Sequence, residues 1–278
     1  MRPTTNCSRH ESEWTQRLLA TRTSAYVVAI PSALMLNTLM KVRCLSGPFL
    51  TVTLMLVSTS VLSGEAVNQL TVEEKAAGWK LLFDGKSTQG WRSFKKQSFP
   101  AHGWVVEDGW LHCLGKDGGD IITDTEFDDF ELQWEWKIAP SANSGVKYFI
   151  TETRNSAIGH EYQMIDAERN PNAEVVTGKK ATASFYDVLK PTRVATRPAG
   201  ETNQSRILVR GDHVEHWLNG VKVLAYECGS DAVKVAVAES KFKDTPGFGD
   251  KIKGHILLQD HHSEVWFRNV KIRELPAK

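Results

Sequence analysis

The sequence has little cysteine and no excess of either charge. Only four of its 278 residues are cysteines, and two of them, Cys113 and Cys228, follow residue 63. They lack the spacing of a disulfide framework, so an exported pair could form one bridge or remain two buried thiols. Its 34 Lys and Arg side chains balance 33 Asp and Glu, with no basic stripe. The sequence therefore offers no surface for nucleic acid.

Several catalytic and architectural signatures are also missing. The chain has no serine nucleophile elbow, phosphate-binding loop, dinucleotide fingerprint or His-Glu-x-x-His zinc motif. These absences argue against α/β-hydrolase, nucleotide-dependent and zinc-protease chemistry. No repeat of 20–50 residues recurs, which argues against a propeller or a solenoid.

Residues 1–63 differ in character from the rest of the chain. Positive charge just after Met40 precedes a mostly apolar run over residues 49–62, and small residues follow at the expected cleavage position. This pattern predicts a secretory signal peptide that starts at Met40, with residues 1–39 a dispensable extension. The alternative is an unusually long signal or a membrane anchor. We expect a periplasmic or secreted protein with no stable membrane span.

Residues 64–278 are predicted to form one all-β domain. The run FELQWEWKI at 130–138 alternates apolar and polar side chains, as a half-buried strand does. Asp108-Gly109 and Asn219-Gly220 each separate two alternating runs, which predicts tight hairpins. One short helix is expected after the Thr71 cap. With about ten or eleven strands and turns every 8–12 residues, the pattern indicates a sandwich or barrel.

The stretch from Asn143 to Asp166 has polar side chains on both faces of two predicted strands. Alternation places Glu161 and Gln163 on one face and Asp166 on the other, unless the strand ends or bulges there. A single-sided antiparallel strand normally keeps one face apolar. The stretch is therefore a candidate site, and the alternative is a strand with one solvated face.

Carboxylates are the best candidates for chemistry. Glu135, Glu161 and Asp166 lie on predicted neighbouring strands with Lys147 between them, and glycosyl chemistry commonly uses two carboxylates. The Asp260-His261-His262 trio at a strand end could bind a metal or polarise a carbonyl. The alternative for each of these residues is an ordinary solvated position.

The order of motifs along the chain resembles a known family. LLFDGKSTQGW, WVVEDGWL, DFELQWEWKI, ANSGVKYF, HEYQMID, LNG, LLQDHH and VWFRNVKIREL follow one another between residues 78 and 275. This series resembles the 3-keto-disaccharide hydrolase domain family. The resemblance implies an all-β, concanavalin A-like jelly-roll sandwich of two antiparallel sheets. It also implies cleavage of glycosides whose glucosyl C3 is a ketone.

The resemblance extends to individual site positions, which match the family's recurring motifs: Glu135, Asn143, Gly145, Glu161, Gln163, Asp166 and Gln259-Asp260-His261. Lys147-Tyr148-Phe149 departs from the common pattern of the family. So does the long 170–200 loop, which stands where the family usually has a shorter segment with a Thr-Gly pair and a tyrosine, here Thr177-Gly178 and Tyr186. Asn143, Lys147, Gln163, Tyr186 and Asp260 are the expected substrate-binding residues.

The implied chemistry needs a base, an electrophile and an acid. A C3 ketone acidifies the C2 hydrogen, so its removal permits elimination of the C1 leaving group, after which water adds. We hypothesise that Glu161 or Asp166 is the base. The electrophile is His261, Lys147 or a divalent cation, and Glu135 is the acid or a metal ligand. A sugar 3-dehydrogenase is the implied functional partner. A non-catalytic carbohydrate-binding module is the alternative from another class.

Overall fold

The computed structural model describes residues 66–276, which form thirteen β-strands and three short helices. The predicted extension and signal peptide at residues 1–63 lie outside the described residues. The helices are α1 (Val72–Ala76), α2 (Ala173–Val176) and α3 (Asp231–Ala238). In the described part of the chain, no helix has the length and apolar character needed to cross a membrane.

The larger sheet contains eight antiparallel strands. Its order is β11 (Val221–Glu227), β10 (His213–Leu218), β9 (Asn203–Arg210), β6 (Phe130–Ile138), β13 (Glu264–Glu274), β4 (Trp110–Leu114) and β3 (Trp104–Glu107), with β1 (Lys80–Leu81) also pairing with β13.

The smaller sheet contains five antiparallel strands and carries the 143–166 stretch. Its order is β2 (Trp91–Ser93), β5 (Ile121–Phe127), β12 (Gly254–Leu258), β7 (Asn143–Ile150) and β8 (His160–Ile165). The predicted all-β sandwich of two antiparallel sheets is confirmed.

Local sequence explains the best-predicted elements. Strand β6 covers the predicted residues 130–138, and its alternating side chains are alternately buried and half-buried. Asp108-Gly109 and Asn219-Gly220 both have positive φ at each residue, as two-residue hairpin turns of the primed type require. Thr71 caps α1 through its hydroxyl and forms a capping box with Glu74.

The sequence analysis does not predict strands β2 and β5. Strand β2 has only three residues, and β5 carries exposed Asp124, Thr125 and Glu126 in succession, which interrupts its alternation. The 184–186 segment forms only isolated bridges, from Phe185 to Tyr162 and to Leu189. This segment lies along the edge of β8.

Aromatic side chains fill the space between the sheets. Trp134 and Trp136 point inward from β6, and Tyr148 and Tyr162 point inward from β7 and β8. Trp134 meets Tyr162 edge to face with ring centroids 4.9 Å apart. Because side chains alternate along a strand, the neighbours of these tyrosines point to the outer face of the smaller sheet.

Cys113 and Cys228, the cysteines within the described residues, are buried free thiols and form no disulfide with each other. Cys113 lies on β4 and Cys228 directly follows β11. Burial raises the pKa of each thiol to about 12. Both are therefore protonated and unreactive at neutral pH.

A buried chain of hydrogen bonds joins the two sheets. His160 Nδ1 lies 2.8 Å from the Tyr226 hydroxyl, which lies 2.6 Å from the Tyr148 hydroxyl. Tyr148 in turn meets His216 Nε2 at 2.8 Å, and His216 Nδ1 lies 2.9 Å from the Ala183 carbonyl oxygen. Since that carbonyl only accepts, His216 donates from Nδ1, Tyr148 donates to His216, and Tyr226 donates to Tyr148.

Burial keeps both imidazoles neutral, and this direction of the hydrogen bonds requires neutrality of His216, which accepts at Nε2. Burial lowers the pKa of His160 to about 3 and that of His216 to about 4. Each value lies below the ordinary histidine pKa of about 6.5. At pH values between the folded pKa of each histidine and about 6.5, the unfolded chain binds protons that the folded protein excludes, so acid favours unfolding.

We predict that the free energy of unfolding decreases as pH falls from about 6.5 towards 4. Each histidine contributes a slope of up to about 1.4 kcal/mol per pH unit. Urea unfolding at pH 7.5, 6 and 5 measures this slope. His216→Gln keeps one donor and one acceptor but cannot titrate, so its slope should be smaller. Equal slopes for the two proteins would contradict the account.

Candidate active site

The outer face of the smaller sheet brings most of the predicted site residues together. Lys147 on β7 pairs directly with Glu161 on β8, and Gly145 pairs with Gln163. Asn143 lies one step further on the same face of β7. Strand alternation therefore puts these side chains on one surface because Tyr148 and Tyr162 occupy the core.

Gly145 provides the space for the Glu161 carboxylate. A Cβ atom at residue 145 would lie 2.9 Å from Glu161 Oε1 and 3.0 Å from its Cγ. The φ angle of Gly145 is not in the left-handed region. The glycine is therefore needed for the close approach of a side chain and not for a turn.

Glu161 is almost fully buried and is surrounded by charge. Lys147 Nζ lies 3.9 Å from Glu161 Oε2 and 3.8 Å from Asp120 Oδ2. Burial raises the pKa of Glu161, while Lys147 and Lys241 oppose the rise. Burial likewise raises the pKa of Asp120, against the effect of Lys147. The result is a carboxylate that is more basic than one in water.

Lys241 and Tyr186 form the other side of the site. Lys241 Nζ lies 4.3 Å from the centre of the Tyr186 ring, and the Lys241 backbone N–H donates to Asp187 Oδ2 at 2.8 Å. Burial of its ammonium group lowers the pKa of Lys241, and Glu161 partly offsets this. Burial, followed by the Glu161 charge, raises the pKa of the Tyr186 phenol.

A cavity of about 290 Å³ opens above these groups. Its walls combine charged, amide and apolar side chains: Lys147, Ala157, Ile158, Gly159, Glu161, Lys241, Phe242, Thr245 and Gln259. The volume lies at the small end of the range for small-molecule pockets. The space suits one sugar ring better than a long chain.

Asp260 and His261 directly follow the cavity-lining Gln259, in the segment between β12 and β13. Asp260 Oδ2 accepts a hydrogen bond from Gly119 N–H at 2.9 Å, and the Asp260 N–H donates to Asp120 Oδ1 at 2.9 Å. His261 is solvent-exposed, yet a positive charge on it would favour ionised Glu161 and Asp120. Asp260 thus fixes Asp120, and His261 does not line the cavity.

Glu135 lies on the larger sheet, away from the Glu161 cavity. Because Trp134 and Trp136 point into the core, Glu135 points out from the opposite, larger sheet. There its Oε2 lies 2.7 Å from Arg268 Nε in an ion pair. The structure therefore does not bring Glu135 together with Glu161, and a role for it as the acid or as a metal ligand beside Glu161 has no support from its position.

Asp166 organises a loop and does not face the cavity. It follows the end of β8, and its Oδ2 accepts from the Ser141 backbone N–H at 2.8 Å and pairs with Arg169 at 3.1 Å. Its other oxygen accepts from the Glu168 backbone N–H. These bonds account for the burial of this carboxylate, so its position gives no support to a role as the base.

Asp120 and Lys241 were missed by sequence reasoning. Asp120 comes just before β5 and Lys241 follows α3, and neither stands in a local pattern that indicates a site. Only the packing of distant segments places them near Glu161.

No metal centre is assembled in residues 66–276, where no group of three or more His, Cys, Asp or Glu side chains could hold an ion. The position between Asp120 and Glu161 is occupied by the Lys147 ammonium group. The residues present therefore do not fit a divalent cation at this point.

Comparison with known proteins assigns the chain to a family. The profile of the 3-keto-alpha-glucoside-1,2-lyase-like domain matches residues 78–273. The 3-keto-disaccharide hydrolase of Bacteroides thetaiotaomicron is 31% identical over 245 residues, covering 77% of this chain and 84% of that protein.

Solved structures agree with this result. A putative glycosyl hydrolase from Parabacteroides distasonis is 35% identical with a TM-score of 0.67, covering 76% of this chain and all (100%) of that one. A second from the same organism is 26% identical with a TM-score of 0.57, covering 71% and 99%. The resemblance of motifs is thus confirmed, and the protein is a glycosidic-bond hydrolase or lyase. The chain belongs to the 3-keto-alpha-glucoside-1,2-lyase-like domain family.

Proposed function

We propose that the protein cleaves 3-keto-glucosides and 3-keto-disaccharides by C2 proton abstraction, elimination and hydration. The observation that carries this proposal is the buried Glu161 carboxylate, which lies 3.9 Å from Lys147 at the base of a ring-sized cavity. The match to a 3-keto-disaccharide hydrolase supports the choice of substrate class.

Glu161 acts as the general base. The C3 ketone acidifies the C2 hydrogen, and a carboxylate with a raised pKa accepts that proton more readily. The electron pair of the C2–H bond moves into an enolate whose negative charge rests on the C3 oxygen. Neutralisation of Glu161 during this step is favoured by the same burial that raises its pKa.

Lys147 stabilises the enolate oxygen. Its ammonium group is held between Asp120 and Glu161, so its charge is already in place when the C3 oxygen becomes negative. A fixed cation in a partly dry site is worth more than one in water.

Lys241 supplies the proton for the leaving group. Its lowered pKa makes the ammonium group a better acid than an ordinary lysine. The enolate electrons re-form the C3 carbonyl, a C1–C2 double bond forms, and the C1–O bond breaks with its electrons on the departing oxygen. Water then adds its oxygen to C1 and a proton to C2, which completes net hydrolysis.

Such a substrate has to be made by oxidation of a glucoside at C3. We propose a sugar 3-dehydrogenase as the functional partner, and export to the periplasm or the medium as the location. The apolar 49–62 run after Met40 supports the second proposal.

Replacing Glu161 by Gln should lower kcat on a 3-keto disaccharide by about 100-fold or more, because the base is lost. Chromatography of the released sugars measures the rate, with the unoxidised parent sugar as a substrate control. Glu135→Gln is the matched variant, since it removes the same charge from the opposite sheet. It should keep most of the activity, and similar losses in both variants would contradict the assignment.

Lys147→Met should move the acidic limb of the kcat/KM profile to higher pH, because the cation that opposes the rise in the Glu161 pKa is gone. The pH dependence of kcat/KM from 5 to 9 measures this shift. Lys222→Met removes a lysine that pairs with Glu215 on the other sheet, and it should leave the limb in place. A limb unmoved in Lys147→Met would refute this charge interaction.

Gly145→Ala should lower kcat by about 100-fold with little change in unfolding temperature, because the added methyl group displaces the Glu161 carboxylate. Val146→Ala, whose side chain lies in the core, should do the reverse and lower the unfolding temperature while activity is retained. Full activity in Gly145→Ala would show that the position of this carboxylate does not matter.

A further inference from the structure

Lys147 lies between two carboxylates and forms a hydrogen bond with neither. Its Nζ lies 3.8 Å from Asp120 Oδ2 and 3.9 Å from Glu161 Oε2. A charge-assisted hydrogen bond between an ammonium group and a carboxylate normally spans about 2.7–2.9 Å. The ammonium group is therefore held about midway between the two carboxylates, roughly 1 Å short of contact with each.

The two carboxylates reach Lys147 from opposite sides of its strand. In the smaller sheet, β8 with Glu161 lies on one side of β7, and β12 and then β5 lie on the other. Asp120 directly precedes β5, whose first residue pairs with Leu258 on β12. Because the two attractions act in different directions, Asp120 draws the ammonium group away from Glu161.

Backbone groups hold the Asp120 carboxylate in place. Its Oδ1 accepts from the Asp260 N–H at 2.9 Å, while its Oδ2 is the atom that faces Lys147. Asp260 is itself held, because its carboxylate accepts from the N–H groups of Gly119 at 2.9 Å and of His262 at 3.1 Å. Asp120 is therefore an anchored charge, and the flexible lysine is the group whose position responds to it.

We propose that Asp120 is a positioning residue that keeps Lys147 from closing onto Glu161 as a contact ion pair. Strand register brings Lys147 opposite Glu161, and Asp120 prevents the last step to contact. The inference rests on the proposed function for the purpose of that separation. A contact pair would make Glu161 a weaker base and would engage the cation that the enolate needs. Asp120 acts from outside the cavity, whose walls it does not form.

Other ionisable groups also face Glu161, and the substitution chosen for the test leaves them unchanged. Lys241, after α3, favours the ionised carboxylate, as does a charge on His261 between β12 and β13. The Tyr186 phenol faces Glu161 from the loop after β8. Asp120→Asn retains all three groups and keeps a side-chain oxygen that can accept the same backbone hydrogen bond.

Carbon NMR of the Glu161 carboxyl group in the ligand-free protein measures its pKa directly, with Glu161→Gln for assignment. Asp120→Asn should lower this pKa, because Lys147 closes onto Glu161. In the Lys147→Met background the same substitution should produce less than about half of that shift, because only the direct effect of the more distant Asp120 charge remains. An equal shift in both backgrounds, or no decrease in Asp120→Asn, would overturn the proposal.

A crystal structure of Asp120→Asn observes the movement itself. Lys147 Nζ should lie within about 3.0 Å of a Glu161 carboxylate oxygen, as in an ordinary contact ion pair. An Nζ that stays near 3.9 Å from Glu161 would contradict the proposal.

Kinetics on a 3-keto glucoside connect this separation to turnover. Asp120→Asn should lower kcat about 10-fold and move the acidic limb of kcat/KM to lower pH, the opposite direction to Lys147→Met. Asp124→Asn removes an exposed carboxylate of β5 that pairs with Arg92, and it should leave kcat and the Glu161 pKa unchanged. An acidic limb at higher pH in Asp120→Asn would overturn the proposal. If the wild type cleaves no 3-keto glucoside, the proposed function fails while the NMR comparison still tests Asp120.

Discussion

The site depends on keeping one carboxylate out of water beside a fixed cation. Glu161 is buried where its charged form is disfavoured, and Lys147 compensates only in part from 3.9 Å. A closer ion pair would lower the basicity of the carboxylate, and loss of the cation would raise its pKa further. The register of β7 against β8 sets this separation, so the fold controls the chemistry through strand pairing.

The inner face of the same strands fixes that register. Tyr148 and Tyr162 are fully buried between the sheets, and a slip of one residue would turn them to the outer face and place Lys147 and Glu161 in the apolar core. The hydrogen-bonded chain from His160 to the Ala183 carbonyl adds polar bonds with one allowed direction. It ends in the segment that carries Tyr186, whose backbone N–H donates to the Glu161 carbonyl oxygen. The hydrophobic core and the candidate site thus lie on opposite faces of the same two strands, β7 and β8.

The sequence predicts those strands, turns and site residues that depend on side-chain alternation and on local turn chemistry. Glu161, Gln163 and Lys147 were found because a period of two places them on one polar face, and β6 was found because its pattern is regular. Glu135 was grouped with them because a sequence does not say which sheet a strand joins. Asp120 and Lys241 depend on contacts between segments far apart in the chain, and no local pattern marks them.

The most direct test of the central claim is hydrogen exchange at C2. 3-Keto-1,5-anhydroglucitol in deuterium oxide can lose its C2 proton to a base but has no C1 group to eliminate. The account predicts that proton NMR shows loss of the C2 signal with the wild-type protein, much faster than at C4, and no such acceleration with Glu161→Gln. Equal exchange rates with the wild type and with Glu161→Gln would contradict the role of this carboxylate.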